Sequence, residues 1–213
     1  MTTDQTQAYR SWEKLLNPEI LQGNLIVASL FLASYELLRS SIIDQRRDFY
    51  ICGFNAHGET VSPNYQAKVI SRDKSPLRAS LLWLKEAQVI DDSDIDRIQQ
   101  IRAQRNEIAH NLVKLIGSSG AEIDTELFEA IFDLVAKVDR WWIREVELEC
   151  NPEFDGIDGR DIPDAEIHSG RMIALTLLIG VATGEDSGRF YREYVKQASM
   201  KPKPCETQAE KGR

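Results

Sequence analysis

The residues best suited to chemistry in this chain lie in one stretch, IDRIQQIRAQRNEIAHNLVKLI, residues 95–116. Ile98, Ile101, Ile108, Leu112 and Leu115 recur there at three- and four-residue spacing, which predicts a helix buried along one seam. On a wheel of about 100° per residue, Arg102, Asn106 and His110 share a second face. Arg105 falls at the edge of the apolar seam, between Ile101 and Ile108 or Leu112. A guanidinium in that position is costly to bury without a partner. Such a conflict between pattern and residue type marks a place where function is expected. A histidine with an ordinary pKa of about 6.5 can take and give a proton near neutral pH. An arginine stays charged, and its forked donors fit a phosphate-like anion.

The run Arg105-Asn106-Glu107-Ile108-Ala109-His110 resembles the R-x4-6-H motif of the HEPN superfamily, in which the residue after the Arg is commonly polar, often Asn, His or Asp. The resemblance covers residues 18–149; residues from 151 onward have no counterpart in it. It implies an all-α, HEPN-like helical bundle of four to five main helices. It also implies a homodimer whose motif helices meet across a two-fold axis and pool two Arg and two His in one site. The activity implied is that of a metal-independent endoribonuclease acting on RNA in toxin–antitoxin, phage-defence or RNA-processing work. His110 would then serve as acid and base, and Arg105 would stabilise the charged phosphorane, with Asn106 beside it. The implied products are a 2′,3′-cyclic phosphate and a 5′-hydroxyl. Some toxins of the family carry Tyr two residues after the His as a target for nucleotidyl modification. Leu112 stands there in this chain, so the resemblance does not extend to that mode of neutralisation. Arg105 and His110 lie about 140° apart on one ideal helix, so contact across a dimer, or through substrate, is what the site requires.

Blander roles stand beside these. Arg105 and His110 also fit a polar pair on a charged helix, and Asn106 fits a bond to a neighbouring helix. Arg102 reads as a solvated or phosphate-steering residue. Glu36, next to an apolar stripe, reads either as a carboxylate orienting an Arg of the motif helix or as an ordinary edge-of-core acid. His57 reads as a loop residue and His168 as a helix-cap contact. Asp155, Asp158, Asp161 and Asp164 are spaced by three, which does not match the alternate-position ligands of a calcium loop. No Gly-rich phosphate loop, nucleophile elbow or HExxH zinc motif is present. Neither a metal nor a cofactor is therefore expected. A catalytically silent HEPN-like module, binding a protein or nucleotide partner, is the second functional reading; a plain helical interaction protein is the third.

The elements that must position these residues are helices. A short one is expected over residues 8–16. Asn17-Pro18 then supplies a cap and a first-turn proline for a long helix to about Asp44. Residues 52–64 read as a loop. A weaker helix follows Pro76. Asp91-Asp92-Ser93 caps the motif helix, which Gly117-Ser118-Ser119-Gly120 stops. A helix is expected over about 124–149, an acidic loop or linker over 151–166, and apolar helices over about 165–182 and 186–198, within an extension spanning 167–199. The tail from 200 to 213 reads as disordered. The adjacent pair Trp141 and Trp142 points to two faces of one helix, which suggests a subunit contact for one of them. Should the acidic segment lie over the Arg-lined motif, it would imitate a phosphate chain and hold RNA off.

Composition sets the outer limits. The 213 residues are 42% hydrophobic and 28% charged, in the ordinary globular range, which excludes collagen-like and wholly disordered chains. The formal net charge of −8 makes the chain a poor non-specific binder of a polyanion, so any RNA contact needs a local basic site. Cys52, Cys150 and Cys205 form no CxxC pair, which points to a reducing compartment and so to the cytoplasm. No run of 18 apolar residues and no secretory leader is read in the sequence, so no membrane role is expected.

Overall fold

The computed structural model describes residues 11–117, 123–124, 126–183, 192 and 195–196. It is mostly helical, with one small hairpin. Residues 11–16 form α1. The expected cap then appears: the Asn17 side chain accepts from the backbone N–H of Glu19 at 3.0 Å, and α2 runs Pro18–Arg39. The helical path does not stop at Asp44. A π turn, Ser40–Asp44, leads directly into α3, Gln45–Phe49. The stretch Pro18–Phe49 is long and apolar enough, by length and composition alone, to cross a membrane. Here its apolar residues Phe31, Tyr35, Leu38 and Ile42 are buried against the other helices of the bundle.

The loop expected over 52–64 contains a hairpin instead. Strands β1, Ile51–Asn55, and β2, Gly58–Val61, pair antiparallel with an irregularity between Ile51 and Gly53. The Asn55 side chain accepts from the His57 N–H at 2.7 Å, and Gly58 closes the turn at φ 113°. The turn residues were legible; the strands were not, because they are short and lack a clean inside–outside alternation. Helix α4, Pro63–Lys68, follows, and Ser75 caps α5, Pro76–Glu86.

Asp91 caps the motif helix through the Asp94 N–H at 3.0 Å and a bond from the Ser93 hydroxyl. These hydrogen bonds hold its carboxyl below the usual range. Helix α6 spans Asp92–Gly117, but Asn111 breaks its geometry at φ −125°, ψ 27°. The expected stop at Ser118–Gly120 lies outside the described residues. Helix α7, Glu126–Trp142, continues through a second π turn, Ile143–Glu147, into the short α8, Leu148–Cys150. Helices α2, α6 and α7 meet in one core built on Phe31, Leu38, Ile98, Ile101, Ile108, Ile131 and Val135.

The acidic segment is neither helix nor free loop. Three short 3-10 turns, at Pro152–Phe154, Gly159–Asp161 and Asp164–Glu166, lay it along α7 as a strap. Gly159 is buried there so tightly that a Cβ would come within 3.1 Å of Arg144 backbone atoms and of Leu148. The last described helix, α9, spans Gly170–Thr183, starting later than expected because the strap's final turn occupies 164–166. Met172 and Leu175 bring α9 into the same core as α2 and α7. The helix expected over 186–198 lies outside the described residues except at 192 and 195–196, and the tail from 200 lies wholly outside them.

Candidate functional site

Two seams of the bundle hold the side chains that matter, and a groove lies beside the second. The first seam is between α2 and α6. Ile101 and Ile108 are fully buried on either side of Arg105, which fixes that residue at the edge of the core. Its guanidinium reaches across to α2. Nη2 donates to Glu36 Oε1 at 3.3 Å, and the Tyr35 ring lies under the charge at 5.4 Å from its centroid. Nη1 donates to the neighbouring Asn106 Oδ1 at 3.4 Å. Nε is buried, with no hydrogen-bond partner among the described residues. Glu36 is also near Arg39, at 3.7 Å, so its carboxylate sits between two guanidinium groups. Of the two roles the sequence left open for Glu36, the contact to the motif Arg is the one present.

Arg102, Asn106 and His110 are exposed on the second face of α6. His110 is the last regular residue before the break at Asn111, so the chain bends immediately beyond it. Exposed Val113, 74% accessible, extends this face on the far side of the bend. Arg105 and His110 therefore diverge, as the wheel predicts. One is tied inward to α2 and the other faces outward. Within one chain they do not form a compact catalytic pair.

The second seam was not foreseen from the sequence. Asp139 on α7 is wholly buried and accepts four hydrogen bonds. The donors are Ser41 Oγ at 2.6 Å, Ser169 Oγ at 2.5 Å, and Arg171 Nε and Nη2 at 2.9 and 3.0 Å. Close by, Arg46 is also buried, with Nη1 donating to the Ser41 carbonyl and its charge 5.8 and 5.4 Å from the Trp83 and Trp142 ring centroids. Burial pulls the Arg46 pKa down to about 9, against the opposing field of Asp139, and the group stays charged at neutral pH. Its Nε and Nη2 have no hydrogen-bond partner among the described residues. Both π turns border this network, at Ser41 and just after Trp142. Trp142 thus serves the interior, and Trp141 packs on Trp83 at 5.9 Å; both are used within the chain.

The strap meets α7 beside this seam, away from Arg105. Arg144 Nη2 donates to Asp164 Oδ1 at 2.5 Å, and Arg140 Nη1 to Asp164 Oδ2 at 3.4 Å. The conditional reading in which the acidic segment lies over the motif arginine does not match these contacts: Asp164 meets a different arginine pair, and Gly159 and Ile167 anchor the strap to this side of the bundle. His168 is exposed and does not cap α9; the Ser169 hydroxyl does, accepting from the Met172 N–H at 3.1 Å. His57 is exposed in the hairpin turn. Among the described residues, no three His, Cys, Asp or Glu side chains converge as metal ligands would.

The hydrogen bond from Arg144, and then the fields of Arg144 and Arg140, hold the Asp164 carboxyl below the usual carboxylate range. A depressed pKa contributes stability above the unfolded value and loses it as pH falls through the folded value. The Asp164–Glu166 turn is therefore expected to stay seated at pH 5 and to loosen only below the ordinary carboxylate pKa of about 3.9, while the Gly159 turn stays packed on Arg144 and Leu148. Hydrogen exchange of residues 152–167, corrected for intrinsic rates, reads this directly. Loss of protection already between pH 6 and 5 would count against the Asp164 clasp. Against this geometry, no protein family model, curated protein or solved structure matches the chain.

Proposed function

We propose that this chain is a metal-independent endoribonuclease of HEPN type, acting as a cytoplasmic homodimer in toxin or phage-defence work. The observation that carries this reading is the placement of Arg105. A permanently charged guanidinium is held at the α2–α6 seam by Glu36 and Tyr35, while Asn106 and His110 of the same helix face solvent. On this reading the α6 faces of two copies meet and place two histidines about one phosphate. One His110 takes the proton of a ribose 2′-OH as that oxygen attacks phosphorus. The partner subunit's His110 gives a proton to the leaving 5′-oxygen as the P–O5′ bond breaks. Arg105 offers donors to the extra negative charge on the phosphorane. Arg102, one turn before Asn106, steers the RNA backbone. A toxin of this kind needs control by an antitoxin or regulatory protein, and the exposed α6 face offers a place for it.

A catalytically silent binding module is the second reading. The net charge of −8 and the engagement of Arg105 by the Glu36 carboxylate favour it. Purified chain incubated with RNA in EDTA separates the two. Cleavage leaving 2′,3′-cyclic phosphate and 5′-hydroxyl ends is expected, from a species that sediments as a dimer at micromolar concentration. The interface should bury at least ~1,000 Å² in total. A monomer under those conditions, or cleavage that needs added metal, would sink the enzymatic reading.

A further inference from the structure

The strap and α7 enclose a groove of about 710 Å³, within the range of small-molecule sites. Lys137, Arg140, Arg144 and Arg160 line it, against only Asp133, Glu145 and Asp164. That is a formal surplus of one positive charge in a chain whose net charge is −8, with Lys137 and Arg160 each also near a carboxylate, Asp94 and Asp158. It is distinct from the motif. Lys137 binds Asp94 at 2.5 Å near the start of α6, and Arg105 is eleven residues further along, about 16 Å by helical rise.

We propose that this groove is an anion site that takes a phosphoryl dianion in exchange for the Asp164 carboxylate. Three features support the exchange. First, Arg144 is fixed without Asp164. Its Nε donates to the Gly159 carbonyl at 3.1 Å and its Nη2 to the Ile162 carbonyl at 2.7 Å. The guanidinium is therefore already oriented when the carboxylate leaves, and a pre-positioned donor costs less to use. Second, the carboxylate fills the site incompletely. It is close to Arg144 but 3.4 Å from Arg140, whose buried Nε has no hydrogen-bond partner among the described residues. A tetrahedral dianion brings a third free oxygen and a second charge to two arginines that the carboxylate serves with one oxygen each. Third, the clasp is easy to open. Asp164 is 63% exposed and sits in a three-residue turn that carries no other side-chain cap. Phe132 and Trp141 form an apolar wall beside the cations, able to hold the organic part of a phosphate ester. The proposal is independent of the ribonuclease reading.

Calorimetric titration of the full chain with inorganic phosphate, AMP and adenosine tests it. Both phosphate-bearing probes should bind and adenosine should not. Asp164→Asn removes the internal competitor and should tighten phosphate binding several-fold. Arg140→Gln should weaken it by about tenfold, the effect of one charge-assisted hydrogen bond. AMP binding tighter than phosphate, with quenching of Trp141 fluorescence that Trp141→Phe abolishes, would identify an organic phosphate as the source; equal affinities would identify free phosphate. Failure of both phosphate probes to bind would overturn the proposal, as would affinity unchanged in Asp164→Asn. Because Asp164 is an exposed side chain, that variant tests the site even if Arg140→Gln folds poorly.

Discussion

His110→Ala and Arg105→Ala are each expected to reduce RNA cleavage by at least about 10²–10⁴-fold, the usual worth of a positioned acid–base group or of a donor to the transition state. The two substitutions should differ in their side effects. His110 is exposed, so its removal should leave the melting temperature unchanged. Arg105 covers Tyr35 and pairs with Glu36, so its removal should cost some stability as well as activity. Glu36→Gln provides the intermediate case. It keeps a hydrogen-bond acceptor near Arg105 but removes the charge that holds it, and should lower kcat with little change in KM. If His110→Ala and Arg105→Ala both retain parental cleavage, the chemistry lies elsewhere. If only the arginine matters, the site binds RNA without cutting it by the proposed route.

The parts of this fold that were legible in the sequence are those governed by local chemistry. Asn17-Pro18, Ser75-Pro76 and Asp91 each announce a helix start, because a side-chain oxygen before a first-turn residue satisfies a backbone donor wherever the helix later packs. The seam of α6 was equally plain. Ile98, Ile101, Ile108 and Leu115 are all buried, and Arg105 sits at the edge where the wheel put it. Glu36 could be singled out beside an apolar stripe and offered as a carboxylate for an Arg of the motif helix, but not chosen for that role over an ordinary edge-of-core acid. The two residues are 69 positions apart, and the pairing of α2 with α6 is a tertiary fact.

Part of what stayed hidden has one cause. The π turns at Ser40–Asp44 and Ile143–Glu147 insert a residue into an otherwise helical pattern, and no residue type announces that. Each turn rotates the chain that follows it, so periodicity carried across the turn assigns the wrong face. Arg46 illustrates the consequence. In the run Gln45-Arg46-Arg47-Asp48 it looks like one of several solvated charges, yet it is buried while Arg47 is half-exposed and paired with Glu59 at 2.7 Å. Asp139 was masked differently: it lies in the regular part of α7, before the π turn, as a single acid between Val138 and Arg140 in a helix with many exposed charges. Only the approach of Ser41 from the first π turn and of Ser169 and Arg171 from the start of α9 makes its burial tolerable. The strap went unread for the opposite reason. Its acids look solvated, and most are, but Gly159 seats it on Arg144 and Leu148 just beyond α7, and Ile167 is buried.

Asp139→Ala is expected to be the most damaging single substitution to the fold. It would leave the Ser41 and Ser169 hydroxyls without their acceptor, break both hydrogen bonds of Arg171, and remove the carboxylate whose field opposes the burial of Arg46. Removing one partner of a buried ion pair typically costs about 3–5 kcal/mol, because the other charge is stranded. Against a total stability of about 5–15 kcal/mol, that is a large fraction, and it corresponds to a fall in Tm of about 6–20 °C for a chain of this size. Asp139→Asn should cost less, since it keeps an acceptor and the volume. Adding Arg46→Met tests whether stranded charge is the cause. The methionine removes a buried cation two of whose N–H groups already lack partners, and it still fills space between Trp83 and Trp142. The double variant Asp139→Ala, Arg46→Met should therefore melt above Asp139→Ala alone, a coupling that denaturant titration of the four proteins in the cycle would measure. Strictly additive losses would mean that Arg46 does not depend on the Asp139 charge, and that its field within the core is balanced by the tryptophan rings and the Ser41 carbonyl.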